Sequence, residues 1–216
     1  MRKTFDAELQ ELSAEMIDMA AAAEDAIDLV TASLAAPDDR QAREAISLTH
    51  TMDQTERDIE NRCLRLLLQQ QPVARDLRTI SAALKMVTDL QRIGDQCANI
   101  AEISLLLVRE PGGSIPGHIR EMSRKAGYMV KRAIFAYANR DQNAAGEVIG
   151  LDDAVDELFR TVKGDLVALI RESRDNADRA IDLIIIAKYL ERIADHAVNI
   201  AQWAIYCVTG TLVDPS

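Results

Sequence analysis

Residues 190–202 read LERIADHAVNIAQ, and residues 90–102 read LQRIGDQCANIAE. Offset by one hundred residues, the two segments agree at seven of thirteen positions, where unrelated sequences would agree at roughly one. The chain is therefore internally duplicated, and each half must build a similar unit. The later copy also shows what that unit is made of. Ile186, Leu190, Ile193, Ala197, Ile200 and Ala204 recur in steps of four and three, which is the apolar seam of a bundle helix. Leu9, Leu12, Met16, Met19, Ala23, Ala26 and Val30 form a second such stripe near the start, and its methionines read as core filler.

Composition points the same way. Only 9 glycines and 5 prolines occur in 216 residues, none of the glycines before Gly94, and aromatic residues make up 4%. A β-rich fold needs far more turn residues than this, so the expectation is all-α. The few breaks then mark helix ends. The densest, PGGSIPG at 111–117, divides the chain into a first three-helix bundle over 1–110, a linker over 111–117, and a second three-helix bundle over 118–216. Predicted helices run over about 5–35, 38–70 and 72–109, then 119–139, 141–171 and 176–208. Pro37 with Asp38 and Asp39 supplies a stop and a cap, Pro72 suits a first helical turn, and Asp141 and Asp175–Asn176 suit N-caps.

The formal charge of −10 excludes the basic footprint of a nucleic-acid binder. The opening MRKTFDAELQELSAEM has no apolar leader core, and no apolar run approaches a membrane span. These features predict a cytoplasmic protein. Cys63, Cys97 and Cys207 are odd in number with no CxxC spacing, so each reads as a small buried hydrophobe.

One chemistry stands out. Glu191, Asp195 and Asn199 are spaced by four, so their oxygens project from one strip of the helix, opposite the seam. A solvated face needs only to be polar, yet Arg92/Arg192, Asp95/Asp195 and Asn99/Asn199 are kept in both copies. Asp152 and Asp156 form another four-residue pair on the preceding helix. Two pairs on neighbouring helices gather four carboxylates, whose repulsion a hard or borderline cation relieves; iron, manganese, magnesium, calcium and zinc all suit such oxygens. A di-iron oxidase is disfavoured, because the residues three before His50, His118 and His196 are Ser47, Ile115 and Ile193, leaving no Glu-x-x-His. His196 reads as exposed or capping. No phosphate-cradling loop, nucleophile elbow or Cys–His pair is evident, so catalysis is not expected. Arg92 and Arg192 read as intrahelical ion-pair partners of the stripe. Trp203, Tyr206 and Tyr189 read as core, with an interface anchor as the alternative.

The run QQPVARDLR at 70–78, followed by LQRIGDQCANIAE and then YLERIADHAVNIAQ at 189–202, resembles the PhoU family of bacterial phosphate-transport accessory proteins. The resemblance covers nearly the whole chain. It implies a non-enzymatic, often dimeric cytoplasmic regulator, peripheral to the membrane only through its partners. Those partners would be the ATPase of the phosphate ABC transporter and a phosphate-sensing histidine kinase, with the starvation response restrained when phosphate is plentiful. It also implies metal held by E(D)xxxD pairs from adjacent helices. Carried onto this sequence, the second bundle keeps the pattern, with Asp152, Asp156, Glu191 and Asp195, and Asn199 one turn further. The first bundle offers Thr49 and Asp53 with Gln91 and Asp95, so two carboxylates are missing; Asn99, Glu56, His50 and Asp76 are candidates to compensate. The expectation is a second site that binds a divalent or ferric ion and a first that binds weakly or not at all. A metal store or metal-dependent catalyst, and a metal-free helical adaptor, are the competing readings.

Overall fold

A computed structural model describes residues 2–36, 39–69, 72–108 and 115–212. Among the described residues are six long helices: α1 (Arg2–Ala35), α2 (Asp39–Gln69), α3 (Ala74–Val108), α4 (Gly117–Asn139), α5 (Gln142–Glu172) and α6 (Ala177–Thr209). A single 3-10 turn, Arg174–Asn176, joins the last two. No strand occurs among the described residues, and the fold is all-α as expected.

The seams behave as their spacing demands. Leu12, Met16, Met19, Ala23, Ala26 and Val30 of α1 are buried, as are Ile186, Leu190, Ile193, Ala197, Ile200 and Ala204 of α6. Helices α1, α2 and α3 pack on one another, and so do α4, α5 and α6. The two bundles are not beads on a string, however. Along its length α3 packs against α6, α1 touches α4, and one apolar core runs through both halves. Small residues make this possible. Ala187, Ala194, Val198 and Ala201 flank the α6 seam and are buried too, so the helix is covered on more than one side and its neighbours approach closely.

Several helix ends differ from expectation. Pro72 lies outside α3, because the first helical bond runs from the Leu77 amide to the Val73 carbonyl, at 3.0 Å, and Val73 is the residue that opens the helix. Gly117 belongs to α4 and not to the linker, since Pro116 with ψ 145° already ends the extended entry. Asp141 does cap α5, its Oδ1 accepting from the Asn143 and Ala144 amides at 3.0 and 3.1 Å. At the next boundary Ser173 caps the 3-10 turn by accepting from the Asp175 amide. Asn176 stands at the N-cap position of α6 but makes no side-chain cap bond there, because its amide donates to the Leu169 carbonyl at 3.0 Å. Pro37, Asp38 and linker residues 111–114 lie outside the described residues. Gly210 ends α6 at φ 78°, a backbone conformation that favours glycine, and a Cβ there would push the Arg78 guanidinium, 2.5 Å away at Nη1, aside.

Cys63 and Cys97 are fully buried, and burial pushes the Cys63 thiol up to about 12 and that of Cys97 up as well. Cys207 is only half-buried, which corrects the expectation of three buried thiols. Trp203 and Tyr189 pack half-buried against the core, and Trp203 meets Tyr206 edge to face at 5.4 Å.

Candidate functional site

The α5–α6 face brings together the four carboxylates that the spacing selected. Asp152 is half-buried, and its carboxyl is pushed up to about 6, first by burial and then by the charges of Asp195, Asp156, Asp153 and Glu191. Asp195 is raised for the same reasons, burial first and Glu191 next, against the pull of Lys188 and His196. Mutual repulsion of this kind is what a cation would relieve, so the donor set fits a hard ion in charge and element. Lys188 reaches one turn along α6 to pair with Glu191. Among the described residues no group of three or more His, Cys, Asp or Glu side chains is disposed to hold a metal ion as it stands. The carboxylates share a face without converging on one point.

Asn199, the fifth member of the stripe, turns elsewhere. Its Nδ2 donates to Asp89 Oδ1 of α3 at 3.1 Å, and His196 Nδ1 meets the same oxygen at 2.9 Å. His196 is therefore neither an exposed nor a capping residue; with Asn199 it grips Asp89 across the contact between bundles. Sequence reasoning missed Asp89 because it stands one residue before the repeated segment, where the second copy has Tyr189.

The first bundle is built differently. Gln91 is buried, and its Nε2 donates to Asp53 Oδ1 and to Asp95 Oδ1, each at 2.9 Å. One amide thus lies between the two carboxylates that the second copy would leave to repel each other across Glu191. Arg92 Nη1 holds Asp95 Oδ2 at 3.3 Å, the intrahelical pair expected of it. Thr49 is buried, and its hydroxyl donates to the Gly94 carbonyl of α3 at 3.1 Å, so that oxygen faces backbone. Glu56 adds a further carboxylate, raised by burial and by Glu60, Asp53 and Asp95 against the pull of Arg92. His50 is exposed, Asn99 is half-buried on α3, and Asp76 lies at the far end of that helix. Here hydrogen-bond donors already occupy Asp53 Oδ1 and both oxygens of Asp95, a surrounding the second bundle does not share.

Gly94 has its own reason for lacking a side chain. A Cβ there would stand 2.8 Å from Sδ and 3.1 Å from Cε of Met52, which is wholly buried on α2. In the second copy the corresponding pair is Val155 and Ala194, both buried. A shorter side chain on one helix accompanies a methyl on the other.

With this geometry established, comparison with known proteins is decisive. The sequence profile of the PhoU domain matches twice, over residues 16–104 and 119–204. The chain belongs to the PhoU family. A relative from Clostridium acetobutylicum, named phosphate-specific transport system accessory protein PhoU homolog, is 35% identical and aligns over 99% of this chain and 98% of its own. One from Aquifex aeolicus with the same name is 39% identical over 95% of this chain and 93% of its own. The crystal structure of PhoU from Pseudomonas aeruginosa superposes with a TM-score of 0.91 at 33% identity, covering 96% of this chain and all of that one. The duplicated six-helix architecture is thus the PhoU fold.

Proposed function

We propose that this PhoU-family chain is a non-enzymatic regulator of phosphate uptake and phosphate-starvation signalling. In this reading it couples the phosphate ABC transporter, through its ATPase, to a phosphate-sensing histidine kinase, and restrains the starvation response when phosphate is plentiful. It works on the cytoplasmic side as a homodimer and reaches the membrane through its partners; none of its helices, over the described residues, is long and apolar enough to cross one. The observation that carries the reading is family membership over both repeats, shared with relatives named as phosphate-transport accessory proteins. The test is affinity capture of the tagged chain from cells grown in high and low phosphate. Recovery of the transporter ATPase or the kinase is the expected result, and repeated failure to recover either refutes the proposal.

Asp152, Asp156, Glu191 and Asp195 are the residues that would hold a divalent or ferric ion. Bound there, the ion supplies positive charge to an otherwise repulsive acidic face and a bridging point for an acidic partner. The chain's own part is to present the four carboxylates from two rigid helices and to release Glu191 from Lys188. Metal analysis of the E191A/D195A double variant tests this, and occupancy equal to that of the unmodified protein would remove the second bundle as the binder. A metal-free adaptor is the second reading, favoured by the Lys188–Glu191 pair, which already brings a cation to the stripe. Negligible metal uptake with partner capture retained would select it.

A further inference from the structure

We propose that the cleft where the two bundles meet is an oxyanion site that takes a phosphate group between Arg75 and Arg140. The proposal uses none of the acidic stripe and does not depend on the metal reading. Arg75 stands in the first turn of α3, in the first bundle, and Arg140 directly follows α4, in the second. Both line an inner chamber of about 110 Å³ and an adjoining outer cleft of about 450 Å³, together with Ser13 of α1 and Thr79 of α3. Residues more than sixty apart in sequence are thereby brought to one cavity by the packing of α1, α3, α4 and α6.

In a chain of net charge −10, some cations are held by carboxylates: Arg62 by Glu8, Glu11 and Glu15, and Lys131 by Asp28. Among the described residues Arg75, Arg78 and Arg140 have no ion-pair partner, and Arg78 Nε is buried without a hydrogen bond. Cys207 lines the inner chamber with Arg75 and Arg140, and Arg78, which lies against Gly210, is near enough to act on its thiol. Asp6 and Asp76 line the outer cleft, and each has an interaction of its own. A phosphate group answers this arrangement because its oxygens accept the paired N–H groups of a guanidinium. The N-terminus of the 35-residue α3 lies alongside and adds its positive end.

Backbone geometry singles out Arg140 as well. It holds φ 53°, the one non-glycine residue with positive φ among those described, at a helix end where glycine or asparagine is the usual occupant. The Ser13 and Thr79 hydroxyls donate to the Leu9 and Arg75 carbonyls, at 3.0 and 3.3 Å, and a half-turn about the C–O bond would aim either at a bound anion.

The test is thermal unfolding and titration calorimetry of the full chain with inorganic phosphate, with ADP, and with chloride at equal ionic strength. Phosphate or ADP is expected to raise Tm by about 5 °C at a hundredfold excess over Kd, with chloride inert. A response to inorganic phosphate identifies the free ion as the source, and a response confined to ADP identifies a nucleotide; either supports the site. The R75Q/R140Q variant is expected to bind at least tenfold more weakly, while R160Q, on the exposed face of α5, binds normally. R140G provides a second variant that relieves the positive φ. It is expected to fold with a basal Tm raised by about 2 °C and to lose the anion response. An equal response to chloride, no response to either ligand, or binding by R75Q/R140Q or R140G within twofold of the unmodified protein overturns the proposal.

Discussion

Replacing Gly94 with alanine asks whether the first copy of the repeated motif is shaped by the side chain facing it. Alanine is the better helix former by about 1 kcal/mol, so propensity alone predicts stabilisation. Packing predicts the opposite, because the added methyl meets Met52 Sδ at 2.8 Å. The thioether is flexible, but Met52 is fully buried, so any shift of it must be taken up by the core around it. Overpacking of this kind costs about 1–3 kcal/mol, which leaves G94A destabilised by about 1 kcal/mol after the propensity gain is subtracted. For a chain of this length that lowers Tm by about 2–4 °C. M52V alone empties part of the same space and is expected to cost about 1–2 kcal/mol. The M52V/G94A pair reproduces the Val155–Ala194 combination of the second copy, so the two changes should offset each other with a coupling of about 1–2 kcal/mol. Thermal and urea unfolding followed by helical circular dichroism measure all four proteins. A G94A protein more stable than the parent, or additive effects in the double variant, would refute the reasoning.

Three further outcomes follow from the acidic faces and the contact between bundles. Because the Asp152 carboxyl is raised to about 6 from 3.8, the folded form binds the extra proton, and repulsion is greatest above pH 6 and relieved as pH falls toward 4. The shift corresponds to at most about 3 kcal/mol, which screening at a half-buried site reduces to about 1 kcal/mol. D152N should therefore stabilise the metal-free protein by about that amount at pH 7.5 and by nothing near pH 4, as read from urea midpoints at the two values. Q91E removes two 2.9 Å bonds and adds a third charge between Asp53 and Asp95, with an expected loss of about 2–4 kcal/mol. Added manganese should recover part of that loss in Q91E and none in the parent; a Q91E protein of unchanged stability would show that the amide does not brace the pair. D89A leaves His196 and Asn199 without their shared acceptor and should cost about 1–3 kcal/mol, with faster hydrogen exchange in α3 and α6 as the local signature.

Much of this molecule could be read from periodic patterns. The seams of α1 and α6 and the Asp141 cap depend on residues close in sequence, and the structure places them as their spacing requires. The duplication reported the two acidic faces, because a stripe kept in both copies stands out against a merely solvated surface. What the pattern did not carry was how one stripe meets its surroundings. Asn199 shares a helical strip with Glu191 and Asp195, yet its angular drift along α6 carries it to Asp89 on another bundle. Gln91 looked like a lost ligand, whereas in place it is a donor that joins two carboxylates. The Arg75–Arg140 cleft gave no periodic signal, since its members come from four helices and meet only after the halves have docked.

The packing of α3 against α6 also bears on ancestry. A protein with a single repeat would leave that face of its third helix open to water, and two copies related by a two-fold axis would cover each other. In the present chain that face is covered from within, by α6 of the same polypeptide. Once joined, the halves no longer had to be identical. Asp89 faces His196 while its counterpart is Tyr189, and Gln91 locks one face while its counterpart on the other is the charged Glu191. One duplicated scaffold thus carries two chemically distinct faces.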